Sequence, residues 1–189
     1  MLIMSEPKVT TYIGIDPGYA ITGYGIIKKT GNKLSVVDYG VIETKPNTEF
    51  PVRLLAINEK IKYLLELYKP DYMSVEELFI SQNRTTAVGT AQARGVVLVE
   101  AARANIPVYE FTPGQVKLAV TGYGKAEKKQ VQSMVKTLLG LKEIPKPDDA
   151  ADGLAMAICL ANTGTINAER AVSGYQYGRY GYSKRNEFG

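Results

Sequence analysis

The chain has 189 residues, of which 45% are hydrophobic and 22% charged, values typical of a single globular domain with a substantial core. It contains one cysteine and no histidine, which excludes an internal disulfide framework, His-ligated metal sites and catalytic triads that use histidine. Its net charge of +4 allows a nucleic-acid partner without requiring one. Neither a signal-peptide pattern nor a membrane-length apolar run is present, so we expect a cytoplasmic protein.

The first predicted elements are three strands joined by tight turns. A β-branched and aromatic run at residues 12–15 predicts a buried strand, and Asp16 follows it directly. A Pro-Gly pair then turns the chain, and residues 22–28 and 34–43 predict two further strands of an antiparallel meander. Asp16 either opens the turn, as aspartate often does, or holds a metal ion at the strand end.

Helices and strands alternate in the next part of the chain. After a loop at 46–51, apolar residues recur at helical spacing over 52–68, and a fourth strand then leads into Glu76. The later predicted elements are a helix at 86–105, a strand at 106–111, and helices at 113–120, 126–139 and 149–162, the last with Asp148 as its N-cap. This order predicts an α/β fold with a five-stranded mixed sheet and helices on both faces.

The two ends of the chain differ from its middle. Residues 164–189 are rich in glycine and tyrosine and have little to bury, so we expect a mobile tail. Residues 1–10 are expected to form an N-terminal extension. The predicted domain therefore spans residues 11–163.

Acidic residues fall at three informative places. Asp16 ends the first strand, Glu76 ends the fourth, and Asp149 and Asp152 open the last helix on one face. If the first and fourth strands are neighbours, all four carboxylates converge at one edge of the sheet. The alternative is structural, because acids at a helix start complement the helix dipole.

Carboxylates without histidine suit hard cations such as Mg²⁺ or Mn²⁺. Two such ions roughly 4 Å apart stabilise both the attacking and the leaving oxygen in phosphodiester hydrolysis. The segment 117–146 also carries seven lysines against two glutamates, a net charge of +5. Such a segment is usually a solvated face, and contact with DNA or RNA is the other interpretation.

Five motifs in this order resemble one known family. They are IGIDPG at 13–18, TGYG at 22–25, VEELF at 75–79, AQARG at 91–95 and DDAADGLAMA at 148–157. Together with AEKKQVQSMVKTLL at 126–139, they are similar to RuvC, the bacterial Holliday-junction resolvase family of ribonuclease H-like fold. The resemblance covers about residues 11–163 and does not extend to the two ends.

The resemblance implies a homodimeric endodeoxyribonuclease that cuts opposed strands of a four-way DNA junction in recombination and repair. It implies two Mg²⁺ ions per active site, with Mn²⁺ able to substitute, and RuvA–RuvB as a candidate partner. The catalytic and metal-binding acids of the family match Asp16, Glu76, Asp149 and Asp152. The D-A-A-D spacing favours Asp149 over Asp148 at the third position.

Several residues match DNA-contacting positions of the family. Lys117 and Lys128 match basic residues near the active site, which implies contact with phosphate or with transition-state charge. Phe79 matches an aromatic residue that can stack on an opened base, with core packing as the alternative. Lys125 and Lys129 are expected to add affinity for the DNA backbone. Weaker candidates in the loop after the fourth strand are Asn83 and Arg84.

The predicted helix at 86–105 carries small residues at near-helical spacing. They are Ala87, Ala91, Gly95 and Ala102. An isologous dimer formed through this face would present two active sites to the opposed strands of a near-symmetric junction. The alternative is that the face packs on the protein's own sheet.

Two other functional classes stay open. The Asp-Pro-Gly turn faintly resembles the phosphate loop of actin-like and sugar-kinase ATPases, although 189 residues leave no room for their second domain. A junction-binding scaffold without cleavage is the other alternative, and intact acids at all four positions argue against it.

Overall fold

The computed structural model describes residues 8–78 and 84–164, with only the backbone described at 84–86. Its strands are β1 (Val9–Asp16), β2 (Ile21–Thr30), β3 (Lys33–Glu43), β4 (Tyr72–Glu76) and β5 (Val108–Phe111). They form one mixed sheet in the order β3-β2-β1-β4-β5. The first three strands are an antiparallel meander, and β4 and β5 continue the sheet in parallel with β1. The predicted mixed sheet is confirmed.

Helices cover both faces of this sheet. They are α1 (Phe50–Tyr68), α2 (Arg84–Arg103), α3 (Pro113–Thr121), α4 (Lys128–Leu138) and α5 (Asp148–Thr163). One buried core joins α1 and α2 to the sheet through residues such as Ile57 and Val97. The other joins α3, α4 and α5 to the opposite face through residues such as Val135 and Ile158. Within the described ranges, no helix has the length and hydrophobicity needed to cross a bilayer.

The central strands β1 and β4 lie side by side because α1 provides the long crossover that parallel strands require. Ile13 pairs with Met73, and Ile15 pairs with Val75. The next residue along each strand is an acid, Asp16 or Glu76. The condition for convergence, that the first and fourth strands are neighbours, is therefore met, and the two acids end adjacent strands.

Alternation along β1 determines which face Asp16 occupies. Ile13 and Ile15 belong to the core beneath α1 and α2, whereas Tyr12 belongs to the core beneath α5. Gly14 also faces α5, since a side chain there would overlap the α5 backbone. Successive residues of a strand point to opposite faces, so Asp16 lies on the α5 face with Gly14.

Glycines allow α5 to lie directly against β1 and β2. A Cβ atom built on Gly14, Gly23 or Gly25 would overlap backbone atoms of α5, and one on Gly153 would overlap the Tyr24 backbone. The backbone of Asp149 is the part of α5 that meets Gly23, the antiparallel partner of Asp16. This close contact brings the acidic start of α5 to the strand end where Asp16 lies.

Some predicted boundaries are wrong by a few residues. β1 begins at Val9, inside the predicted extension, because Val9 pairs with Thr30 of the hairpin. α1 begins at Phe50, and Pro51 occupies its first turn rather than the predicted loop, since proline's fixed φ suits that position. Residues 1–7 and 165–189 lie outside the described part, so the extension and tail stay predictions.

Two predictions about helix starts are also wrong. Pro147, with its extended backbone, is the N-cap of α5, and Asp148 lies in the first turn without capping it. The Asp148 carboxylate instead pairs with Lys128. Arg84 is the first residue of α2 rather than part of the preceding loop, which fits the favourable helix propensity of arginine.

Candidate active site

Asp16 and Glu76 form the centre of the site. Their side chains share a hydrogen bond, which lowers the pKa of Glu76, although burial outweighs it and raises that pKa overall. Burial and the charges of three other acids raise the pKa of Asp16 to about 8. Those acids, in order of effect, are Glu76, Asp152 and Asp149. All four predicted catalytic acids are thus close enough to affect one another.

The first two turns of α5 supply the other two acids. Asp149 and Asp152 are both half-buried. Burial raises the pKa of Asp152, partly offset by a hydrogen bond from Lys128. The structure therefore brings the α5 pair to the ends of β1 and β4.

Lys128 lies at the start of α4 and contacts the acids directly. Its Nζ atom lies 3.0 Å from Asp152 Oδ2 and 3.5 Å from Asp148 Oδ2. Burial lowers the pKa of Lys128, but the hydrogen bond and charge of Asp152 outweigh it, so the net shift is upward. A capping box places the lysine, since Gln130 Oε1 accepts a hydrogen bond of 2.8 Å from the Glu127 N–H.

The chemistry of the donor set fits hard divalent cations. The donors are carboxylate oxygens, and the mutual repulsion that helps to raise the pKa of Asp16 is what a bound cation would relieve. Within residues 8–78 and 84–164, no three Asp, Glu or Cys side chains are grouped closely enough to hold one ion together.

The other predicted basic residues surround this site less closely. Lys117 is half-buried on α3, whereas Lys125 and Lys129 are exposed before and at the start of α4. None of the three forms an ion pair with the acids in the described part of the chain. Phe79 and Asn83 lie outside the described residues, as does the side chain of Arg84.

A buried cation that the sequence did not predict lies behind the site. Arg94 of α2 forms an ion pair with Glu110 of β5, and their side chains are only 9% and 12% exposed. The Nε atom of Arg94 also lies 3.4 Å from the carbonyl oxygen of Glu76. No local pattern marks Arg94, because Glu110 and Glu76 are both distant from it in sequence.

A second buried arginine stabilises the loop that follows Asp16. Arg53 of α1 donates hydrogen bonds to Thr44 Oγ1 at 2.7 Å and to the carbonyl oxygen of Tyr19 at 3.3 Å. Its guanidinium carbon lies 4.7 Å from the centre of the Tyr19 ring. Thr22 Oγ1 closes the same loop by donating to the Gly18 carbonyl at 2.6 Å. The turn after Asp16 is therefore fixed from both sides.

The sheet order and the position of the acids define a class of protein. A five-stranded mixed sheet with carboxylates at the ends of β1 and β4 and on α5 is a ribonuclease H-like nuclease fold. The chain also matches the family described as "Crossover junction endodeoxyribonuclease RuvC" over residues 12–160. It belongs to the RuvC family, and it is an endodeoxyribonuclease. The ATPase alternative is set aside.

Individual relatives cover most of the chain. RuvC from Desulfitobacterium hafniense is 55% identical over 151 residues, which are 80% of this chain and 92% of the relative. RuvC from Brevibacillus brevis is 57% identical over 146 residues, or 77% of this chain and 88% of the relative.

Solved structures agree with this assignment. The structure of Thermus thermophilus RuvC in complex with a Holliday junction substrate has a TM-score of 0.80 and 35% identity, and the match covers 84% of this chain and 97% of that one. The yeast mitochondrial Holliday junction resolvase Ydc2 has a TM-score of 0.56 at 13% identity, covering 82% and 81%. This second likeness shows the fold alone.

Proposed function

We propose that this protein resolves four-way DNA junctions by hydrolysing phosphodiester bonds in two opposed strands during homologous recombination and DNA repair. The observation that carries the proposal is the convergence of four acids, in a chain 35% identical to a RuvC solved with a Holliday junction substrate. The acids are Asp16, Glu76, Asp149 and Asp152. Each comes from a strand end or helix start that matches the family motif.

Nucleases of this family depend on metal ions, and we propose that the four acids hold two Mg²⁺ ions, which Mn²⁺ can replace. Bound divalent ions would neutralise phosphate charge and stabilise the charge that develops on the reacting oxygens. The absence of histidine from the whole chain supports a hard cation rather than zinc.

Lysines on the same face as the acids would receive the DNA backbone. The Lys128 ammonium, held beside Asp152, would face the reacting phosphate and counter its charge. We assign backbone contacts to Lys117, Lys125 and Lys129, whose charges would neutralise neighbouring phosphates. We further propose that Phe79 stacks on an opened base and that Asn83 and Arg84 contact the junction, as the family motif implies.

We propose that the protein acts as a homodimer in the cytoplasm through the outer face of α2. Ala91 and Gly95 are only partly buried there, and a Cβ on Gly95 would meet nothing within 4 Å. Val88 and Val99 on the same face are 58% and 49% exposed. The other side of α2 packs on the sheet. Delivery of the junction by RuvA–RuvB belongs to the same proposal, as do an extension before β1 and a tail after α5.

The test is cleavage of a synthetic mobile four-way junction in Mg²⁺, with the nicks mapped on all four strands. We expect paired nicks at symmetric positions in two opposed strands, and no cleavage of a linear duplex of the same sequence. The variant Asp16→Asn is the matched inactive control. Binding of the junction without nicks in either Mg²⁺ or Mn²⁺ would instead support a scaffold.

A further inference from the structure

We propose that Arg94 is a positioning residue of the active site: it anchors the backbone of Glu76 from the face of the sheet opposite the acids. The inference rests on the proposed function, because it assigns Glu76 to the metal site. Arg94 is 7% exposed and lies on α2, whereas the Glu76 carboxylate faces α5. Arg94 therefore contacts the backbone of Glu76 from one face of the sheet, whereas the carboxylate of Glu76 lies on the other face.

The end of β4 needs such an anchor. The ladder between β1 and β4 stops at the pair Ile15–Val75, one residue before Glu76. On the other side, the Glu77 N–H donates a hydrogen bond of 3.0 Å to the Phe111 carbonyl, which holds the strand end to β5. The guanidinium of Arg94 adds a contact from the helix side, through Nε and the Glu76 carbonyl oxygen.

Glu110 holds the anchor in place. It lies on β5 on the same face as Val108, which packs against the core beneath α2, and its carboxylate pairs with the guanidinium. One arginine thus ties together α2, β5 and the last residue of β4. Arginine suits this task because its planar group offers several N–H donors in a fixed geometry, whereas lysine offers a single ammonium.

Stability alone is a poor explanation for this pair. Removing two charges from water is costly, and buried ion pairs can often be replaced by apolar side chains without loss of stability. The pair also lies where it can affect the metal site, since Arg94, Glu76 and Thr90 line one cleft of about 150 Å³. We infer that the pair is placed there to fix Glu76.

Two variants separate positioning from packing. Arg94→Lys keeps the positive charge beside Glu110 but loses the Nε–H that contacts the Glu76 carbonyl. The double variant Arg94→Met with Glu110→Met removes both buried charges and fills the space with apolar side chains. Arg103→Lys is the matched control, because Arg103 is on the same helix and also pairs with a buried glutamate, Glu100, at 2.7 Å.

Three measurements are made on the full chain. Mn²⁺ binding is titrated without DNA by the electron paramagnetic resonance signal of free Mn²⁺. Junction affinity is measured without metal, and cleavage is measured under single turnover with saturating junction. For both Arg94 variants we expect Mn²⁺ affinity and cleavage rate to fall by about tenfold or more, the usual effect of losing a group that orients a metal ligand. Junction affinity and melting temperature should match those of Arg103→Lys.

The outcomes are distinct. Unchanged Mn²⁺ affinity and cleavage in Arg94→Lys would overturn the inference, and so would losses that follow a fall in melting temperature. If the double variant does not fold, Arg94→Lys still decides the question. If the parent protein binds Mn²⁺ but cuts no four-way junction, the proposed function fails, while the DNA-free titration still tests whether Arg94 positions Glu76.

Discussion

Near the ends of β1 and β4, the α5 face and the α2 face of the sheet carry opposite arrangements of charged side chains. On the α5 face, burial and the charges of three neighbouring acids raise the pKa of Asp16 to about 8. On the α2 face, the buried charge of Arg94 is paired with Glu110. The first face is electrostatically unfavourable until a cation binds, and the second is already neutralised. The chain therefore clusters acids where chemistry is proposed, with Lys128 pairing only part of their charge. On the opposite face, the buried cation has its own carboxylate partner.

The largest effect should come from breaking the acid cluster itself. Asp149→Asn preserves side-chain size but removes a charge, so we expect cleavage to fall by about 1,000-fold, the upper range for loss of one preorganised charged group. Asp148→Asn is the matched control, because Asp148 is the neighbouring acid on α5, contacts Lys128 at 3.5 Å and is not one of the three acids whose charges raise the pKa of Asp16. Single-turnover rates on one junction compare the two. Equal losses would show that the register of the D-A-A-D motif is wrong.

The contact between α5 and the sheet can be broken without changing any charge. In Gly25→Ala the new methyl group would overlap the backbone of Leu154, so we expect destabilisation by about 3 kcal/mol, as for overpacked cores. Gly114→Ala on α3 is the control, since its Cβ has no neighbour closer than 3.9 Å and alanine favours a helix by up to about 1 kcal/mol. Urea unfolding measures both. If Gly25→Ala leaves the free energy of unfolding unchanged, α5 can move away from β2 at little cost.

The α5 face and the α2 face also differ in how well the sequence predicts their functional residues. The positions of the acids along their elements could be predicted because strand ends, helix starts and a spacing of three residues are local patterns. The pairing of β1 with β4 is not a local pattern, and it entered the prediction only as a condition. Arg94 and Arg53 could not, because each acts through partners distant in sequence, such as Glu110 and Thr44. The contact of Gly23 with Asp149 could not be predicted either, because the local sequence shows a glycine but not which part of the chain lies against it.

A pH series tests the charge on the α5 face. With a pKa of about 8 in the folded protein and an ordinary carboxyl value in the unfolded chain, Asp16 takes up a proton on folding between about pH 4 and pH 8. The folded state binds more protons in that range, so the metal-free protein should lose stability as pH rises through it. Asp16→Asn should remove much of this loss, and its advantage over the parent should be larger at pH 8.5 than at pH 5.

Melting curves without metal and with Mg²⁺ provide the measurement. Mg²⁺ should stabilise the parent more at pH 8.5 than at pH 6, because binding competes with the proton on Asp16 and ligand-linked stability follows affinity. It should stabilise Asp16→Asn less at either pH. A parent protein whose metal-free stability is flat from pH 5 to pH 8.5 would contradict the proposed cluster.

The smallest effect separates the two faces as DNA-binding surfaces. Lys125, exposed before α4, and Lys60, exposed on α1, lie on opposite sides of the sheet. If the α5 face receives the junction, Lys125→Gln removes one phosphate contact, and the slope of log affinity against log salt concentration should decrease in magnitude by about 0.9. Lys60→Gln should leave the slope unchanged, since that lysine lies near the ring of Tyr63 on the other face.

Fluorescence anisotropy over a series of salt concentrations, without metal so that no strand is cut, measures both slopes. Equal slopes for Lys125→Gln, Lys60→Gln and the parent would remove Lys125 from the DNA-binding surface. A change in Lys60→Gln alone would place the junction on the α1 face, where the described residues offer no acid cluster to cut it.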